Sequence, residues 1–406
     1  MIKKFKPFLS NFLIISSTSF ICILFFDFIC YLVISESFTH ESFPKYKWKP
    51  TKLNPFYKKN EAITRLRNYY SNHPVRGFDI NKSLPVSFFD FTDARLEVFS
   101  NELGCWDKNS KEEIINSENF AYIAGDSFTW GYANYKNIYP NVYEKLSGET
   151  TLKCGVPHTG QLHQFNKFKS IINEIGAYPK DVIIGYYLND PSNDNAYPHS
   201  KVIKGVRVET SLFDISSKSL IPINSGQTTF KVNQELKKLS DQKLVFEKEE
   251  NPFRFVNIKN FISQYSLSSN LINSLVKSFR IKPLDSIYNS QSLYSHSIDY
   301  ANNFYTKKNR EIIKEWKKDS IKNKYNLTFL LIPPSNKFND INLYSDFKLF
   351  LKLNQINFVD ATQGFKDSKI SRKELYWYHD GHLSNMGNEF LGRYLHEKLI
   401  QSVINQ

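Results

Sequence analysis

The chain has 406 residues, 41% of them hydrophobic and 16% aromatic, enough for a large core in one or two domains. Its net charge of +13 comes from lysines spread along the chain, with no dense Arg/Lys block and no zinc-finger or RNP-like pattern. That distribution argues against a nucleic-acid reader; it fits a solvated basic surface or attraction to an anionic membrane or acidic glycan.

In chain order, the first predicted element is residues 8–34, FLSNFLIISSTSFICILFFDFICYLVI, preceded by MIKKFK. At about 1.5 Å per residue the stretch can span a hydrocarbon core of about 30 Å. Asp27 is its only charge and needs a partner or a place near one face. No A-x-A cleavage site follows, so an uncleaved signal anchor (residues 1–35 with the cytoplasmic tail) is expected over a cleaved signal peptide. Lys3, Lys4 and Lys6 point to an inside N-terminus, although Lys45, Lys47, Lys49 and Lys52 weaken the bias. The expected localisation is single-pass membrane, with the large domain on the periplasmic or extracellular side.

Residues 36–118 read as a connector with some structure. HPVRGF and SLPVSFF carry turn signals, and ITRLRNYY predicts a short helix. From 119 to 406 strands and helices alternate. NFAYIAG is a strand, YPNVYEKLSG a helix ending in Gly148, and TLKCGV a second strand. GQLHQFNKFKSIINEIG is an amphipathic helix with Leu162, Phe165, Phe168 and Ile172 at helical spacing, stopped by Gly176. DVIIGYYLND is a third strand, apolar nearly throughout. Residues 195–300 form an insertion that reads as irregular, with a helix in SQYSLSSNLINSLVKSF. A charged helix surrounds Trp316 over 303–325, LTFLLIPP and INFVDAT are the fourth and fifth strands, and a final helix carries a Phe390, Leu391, Leu395, Leu399, Val403 stripe. Such alternation predicts an α/β fold, a parallel sheet covered by helices, with ligands at the carboxyl ends of its strands.

Those ends hold the chemistry. They carry Gly125-Asp126-Ser127, then Gly155 to Gly160, then Leu188-Asn189-Asp190; Tyr378-His379-Asp380-Gly381-His382 precedes the last helix. Acyl transfer needs such a set. A serine hydroxyl is a weak nucleophile until an imidazole takes its proton, and the imidazole needs a carboxylate to orient it. The oxyanion needs donors aimed at it, here the N–H groups of Ser127 and Gly155 and the Asn189 amide. A glycine at 155 lets the backbone approach substrate with no Cβ in the way.

GDSFTWG, the isolated Gly155, LND at 188–190 and DGH before a terminal helix resemble the four blocks of the SGNH/GDSL hydrolase superfamily, over about 119–406. The resemblance implies a three-layer α/β/α, flavodoxin-like fold and a serine esterase or O-acyltransferase. It implies Ser127 as nucleophile, Ser127, Gly155 and Asn189 as the oxyanion hole, His382 as general base and Asp380 as its orienter. Two departures stand out. Tyr187 occupies the glycine place of the usual G-x-N-D, which narrows the pocket, and the last block is D-x-H where D-x-x-H is usual.

Around this set, His379 competes with His382 as base, and Asn193-Asp194 reads as a turn past the third strand. His158 is a loop histidine beside the glycine block. Trp130 and Thr129 are either packing residues or, for Trp130, a platform for a sugar ring. Cys105 and Cys154 are a disulfide or two buried thiols. There is no CxxC and no cofactor motif, so no metal or cofactor is expected. The expected substrate is an O-acyl ester, acetyl foremost, of an envelope glycan or another small ester. An acyl-supplying membrane partner belongs to the transferase alternative, and a catalytically silent glycan-binding scaffold is a third possibility.

Overall fold

The computed structural model describes residues 68–91, 94–198, 200–214, 219–222, 300, 303–377 and 381–404, together with positions 18, 19, 21, 22 and 25. Most of the expected anchor, the helix expected in 263–279, His379 and Asp380 lie outside the described residues. Among the described residues no helix is long and apolar enough to cross a membrane. The described residues from 68 onward belong to one compact unit, 61–244 with 287–406.

β1 (Tyr70–His73) and β2 (Gly77–Ile80) form an antiparallel hairpin, as do β3 (Ser87–Phe91) and β4 (Ala94–Val98). The helix expected in ITRLRNYY is not seen in its described part: Asn68 and Tyr69 lie in a turn and Tyr70 opens β1. Its tyrosines pack in a core with Phe78, Leu96 and Trp106, a sheet-like environment that overrides the helical spacing. A Ser110–Glu113 capping box starts α1 (Lys111–Asn116).

Next come β5 (Phe120–Gly125), the one-turn α2 (Ser127–Trp130), α3 (Tyr139–Ser147) and β6 (Thr150–Lys153). α4 (Gln161–Ile175) ends at Gly176, which takes the left-handed conformation at φ +77°. β7 (Asp181–Tyr186) leads into α5 (Asp190–Ala196). The start of the expected insertion is regular: β8 (Ser200–Ile203) pairs with β9 (Val206–Glu209), and β10 (Ser211–Asp214) with β11 (Ser219–Pro222). α6 (Lys307–Asn323), β12 (Asn326–Leu331), α7 (Ser345–Leu353), β13 (Asn357–Asp360), α8 (Ala361–Ser368), α9 (Arg372–Leu375) and α10 (Asn385–Ile404) complete the described chain.

β6, β5, β7, β12 and β13 lie side by side in that order, all parallel. Counted along the chain this is 2-1-3-4-5, the doubly wound order of flavodoxin-like folds. The period-2 alternation of the strands sorts their apolar side chains to two faces. Tyr122, Ala124, Val182, Ile184, Phe329 and Leu331 meet Phe168 and Ile172 of α4, Trp316 of α6 and Phe347 of α7. Ala121, Ile123, Ile183 and Leu330 meet Tyr139 and Tyr143 of α3, Phe365 of α8 and Leu391 and Leu395 of α10. Both faces are covered, so the strands read as continuous apolar runs and the fold has three layers.

The stretch read as a connector is tied to this sheet and its helices by buried links. Cys105 and Cys154 form a disulfide. Buried Lys167 of α4 donates to Asp79 Oδ1 at 2.7 Å and to the Gly104 carbonyl at 2.6 Å. Buried Lys153 meets Asp107 at 2.8 Å. Burial alone would raise the Asp79 carboxyl; Lys167, Arg76 and His163 outweigh it and hold the group at about 2.

Candidate active site

The strand order reverses between β5 and β7, with β6 outside β5, and a doubly wound sheet opens its ligand crevice at such a point. The three strands that meet there carry Ser127, Gly155 and Asn189 just past their carboxyl ends.

Ser127 is the first residue of α2, held by Asp126 as N-cap. One Asp126 oxygen accepts from the Phe128 N–H at 2.9 Å, and the other lies 3.4 Å from Ser127 Oγ. Gly125 makes the sharp exit from β5 possible: it sits at φ +154°, and a Cβ there would lie 1.9 Å from Thr129 Oγ1. His382 comes from the loop before α10, and its Nε2 lies 2.9 Å from Ser127 Oγ. A serine and a histidine 255 positions apart are thus within proton-transfer reach.

The Cys154 N–H bonds to the Ile123 carbonyl and the Val156 N–H to the Gly125 carbonyl, both at 2.9 Å. By strand alternation the Gly155 N–H between them points away from β5's backbone. The reason for glycine at 155 differs from the expected one. A Cβ would lie 2.5 Å from the Trp130 nitrogen and 2.8 Å from the Thr129 carbonyl carbon, so it would strike α2 itself. Asn189 occupies the N-cap position of α5 with no capping bond from its side chain, and its amide, as a donor, lowers the Asp126 carboxyl. Each Asn nitrogen has two N–H groups, so one remains for a developing oxyanion.

A buried carboxyl cluster lies behind these groups. Asp126, Asp190 and Asp194 are fully buried. Burial raises the Asp126 carboxyl, against hydrogen bonds from Phe128, Asn189 and Ser127 and the attraction of His382. Burial, then the charges of Asp126 and Asp194, raise Asp190 well above the carboxylate range. Asp194 is pushed up to about 7 by burial, while accepting from the Leu162 N–H at 2.8 Å and Asn309 Nδ2 at 2.6 Å. Asn193-Asp194, expected as a turn, is helical in α5, because Asp194 is needed inside to cap α4.

The remaining candidates fall outside the chemistry. Trp130 is 1% exposed, stacks on Trp106 at 4.1 Å and donates to the Tyr69 hydroxyl; it is a packing residue. Thr129 shares a 3.0 Å hydrogen bond with Tyr139. His158 is exposed in its turn, at φ +63°. Among the described residues no group of His, Cys, Asp or Glu is arranged to hold a metal ion.

The arrangement pairs a serine hydroxyl with an imidazole beside backbone N–H groups, at the carboxyl ends of adjacent parallel strands. No family model matches the chain, and no curated protein sequence matches it. Solved structures are similar to it at low identity. One described as a lipolytic protein of the G-D-S-L family, from Desulfitobacterium hafniense, is 14% identical at a TM-score of 0.33, covering 69% of this chain and 99% of that one. The lipase/acylhydrolase from Enterococcus faecalis is 10% identical at 0.34, covering 69% and 95%. An acetyl xylan esterase is 8% identical at 0.33, covering 69% and 100%.

Proposed function

We propose that the protein is a serine ester hydrolase in which Ser127 is the nucleophile and His382 the general base. The observation that carries this reading is the 2.9 Å contact between Ser127 Oγ and His382 Nε2 at the switch point of the sheet. His382 Nε2 takes the Ser127 proton as the Oγ–carbon bond forms, and the carbonyl oxygen becomes the oxyanion. The N–H groups of Ser127 and Gly155 and the second Asn189 N–H receive that charge; one such donor is worth about 3–4 kcal/mol. The carbon–oxygen bond to the alcohol then breaks, and His382 returns the proton to the leaving oxygen. Water, deprotonated by the same imidazole, attacks the acyl carbon, the acyl–Oγ bond breaks to release the acid, and His382 returns the proton to Ser127 Oγ. Asp380 is the proposed orienter of His382.

The proposed substrate is an O-acyl ester, acetyl foremost, of an envelope glycan. The proposed setting is outside the cytosol, behind the membrane anchor read in 8–34; the Cys105–Cys154 disulfide supports an oxidising compartment. A fluorophosphonate probe and p-nitrophenyl acetate test the chemistry. The expected result is labelling and turnover in the wild type and neither in Ser127→Ala or in heated protein. Turnover by Ser127→Ala at the wild-type rate would remove the mechanism.

A further inference from the structure

The nucleophile and the base are mounted differently. Ser127 sits on a strand-anchored helical turn. His382 sits in the segment between α9 and α10, after Gly381 at φ +86° and next to Leu383, which bridges to Tyr376. A base must nevertheless be held within about 0.5 Å of its productive place, so the support has to come from its neighbours.

Two aromatic rings lie against the imidazole. The Phe128 ring is 4.7 Å from it, centroid to centroid, with planes tilted by 38°. The Tyr132 ring is 4.6 Å away, tilted by 31°. Each ring is itself backed. Phe128 stacks on Tyr187 at 3.9 Å and 22°, and Tyr132 meets Trp130 edge-on at 4.7 Å. Tyr132 takes φ +43°, a conformation disfavoured for a residue with a Cβ. Trp377 clasps it there, because its indole N–H donates to the Tyr132 carbonyl at 2.8 Å and its backbone N–H donates to the His382 carbonyl at 2.8 Å. One residue thus ties the backbones of Tyr132 and His382 together, while their rings pack on each other.

We propose that Phe128 and Tyr132 are positioning residues that set the plane of the His382 imidazole so that Nε2 faces Ser127 Oγ, with Tyr187 and Trp377 holding the two rings in place. Tyr187 thereby has a role: where the third block departs from glycine, its ring backs the ring beside the base. The inference rests on the reading of Ser127 and His382 as nucleophile and base.

The half-exposed Tyr132 is the residue to change, in the full-length protein. Tyr132→Leu removes the ring and keeps a side chain at the strained position; Tyr132→Phe keeps the ring. With p-nitrophenyl acetate, Tyr132→Leu is expected to lose roughly 10- to 100-fold in kcat, the scale of a misplacement of about 1 Å, with KM within about twofold. Tyr132→Phe is expected to recover most of that rate. The His382 Hε1 resonance, assigned by its loss in His382→Gln, is expected to move in Tyr132→Leu as a ring current disappears, and to return in Tyr132→Phe. Tyr132→Leu with the wild-type kcat and an unmoved resonance, while Ser127→Ala is inactive, overturns the inference alone. Ser127→Ala at the wild-type rate overturns the catalytic reading and the inference with it.

Discussion

Gly155→Ala is a small change with a large expected effect. The added Cβ would meet the Trp130 nitrogen at 2.5 Å, about 0.9 Å short of where ordinary contact begins, and the Thr129 carbonyl carbon at 2.8 Å. Both are backbone atoms, so no side chain can rotate away. Either α2 retreats with Ser127 on it, or the 154–156 segment does with its N–H. In both cases an oxyanion donor and the nucleophile separate by a sizeable fraction of an ångström, and the 2.9 Å reach to His382 Nε2 is disturbed. Loss of one such donor costs about 10²- to 10³-fold in kcat. The overpacking costs about 1–3 kcal/mol of stability, a Tm drop of roughly 2–5 °C for a unit of about 300 residues, so the protein stays folded. The assay is kcat/KM on p-nitrophenyl acetate beside circular dichroism and a thermal melt. A folded Gly155→Ala protein within about threefold of the wild-type kcat/KM would refute the reasoning, since the close approach of residue 155 to α2 would then not set the site.

Three further outcomes test the scaffold. Removing the Cys105–Cys154 disulfide, which spans 49 positions, is expected to cost about 2–5 kcal/mol, read as a lower Tm in Cys105→Ser/Cys154→Ser; an unchanged Tm would contradict it. Lys167→Met leaves Asp79 short of a buried partner and is expected to cost about 3–5 kcal/mol in urea denaturation, with Asp79→Asn/Lys167→Met costing less than the two single changes together. Burial holds His163 down at about 3, so below about pH 6.5 only the unfolded chain takes up that proton. The fold then loses up to about 1.4 kcal/mol per pH unit through this group as pH falls from 6.5 towards 3. His163→Gln lacks that slope, so the wild-type Tm minus the variant Tm should become steadily more negative between pH 6.5 and 4; a constant difference would contradict the assignment.

Much of the sheet was legible because parallel strands covered on both faces leave a local mark. FAYIAG, DVIIGY and NLTFLL are apolar runs of strand length. Locally Asn193-Asp194 reads as a turn pair; only α4, whose first turn needs an acceptor, makes Asp194 helical and buried. Trp130 has two local readings, and Trp106 and Tyr69, from the segment before the sheet, decide for packing by enclosing it.

The alternation of elements and the candidates Ser127, Gly155, Asn189 and His382 are legible in the chain, because periodicity and strand-end composition are local properties. Which of them meet depends on the folded arrangement. The 2.9 Å contact between Ser127 and His382, the aromatic rings beside the imidazole, the Lys167–Asp79 pair and the disulfide all join residues far apart in the chain. Such pairings depend on strand order and on which layer each helix covers, and no local pattern encodes either. Even the need for glycine at 155 is of this kind, since the atoms that forbid a Cβ belong to the turn of another strand.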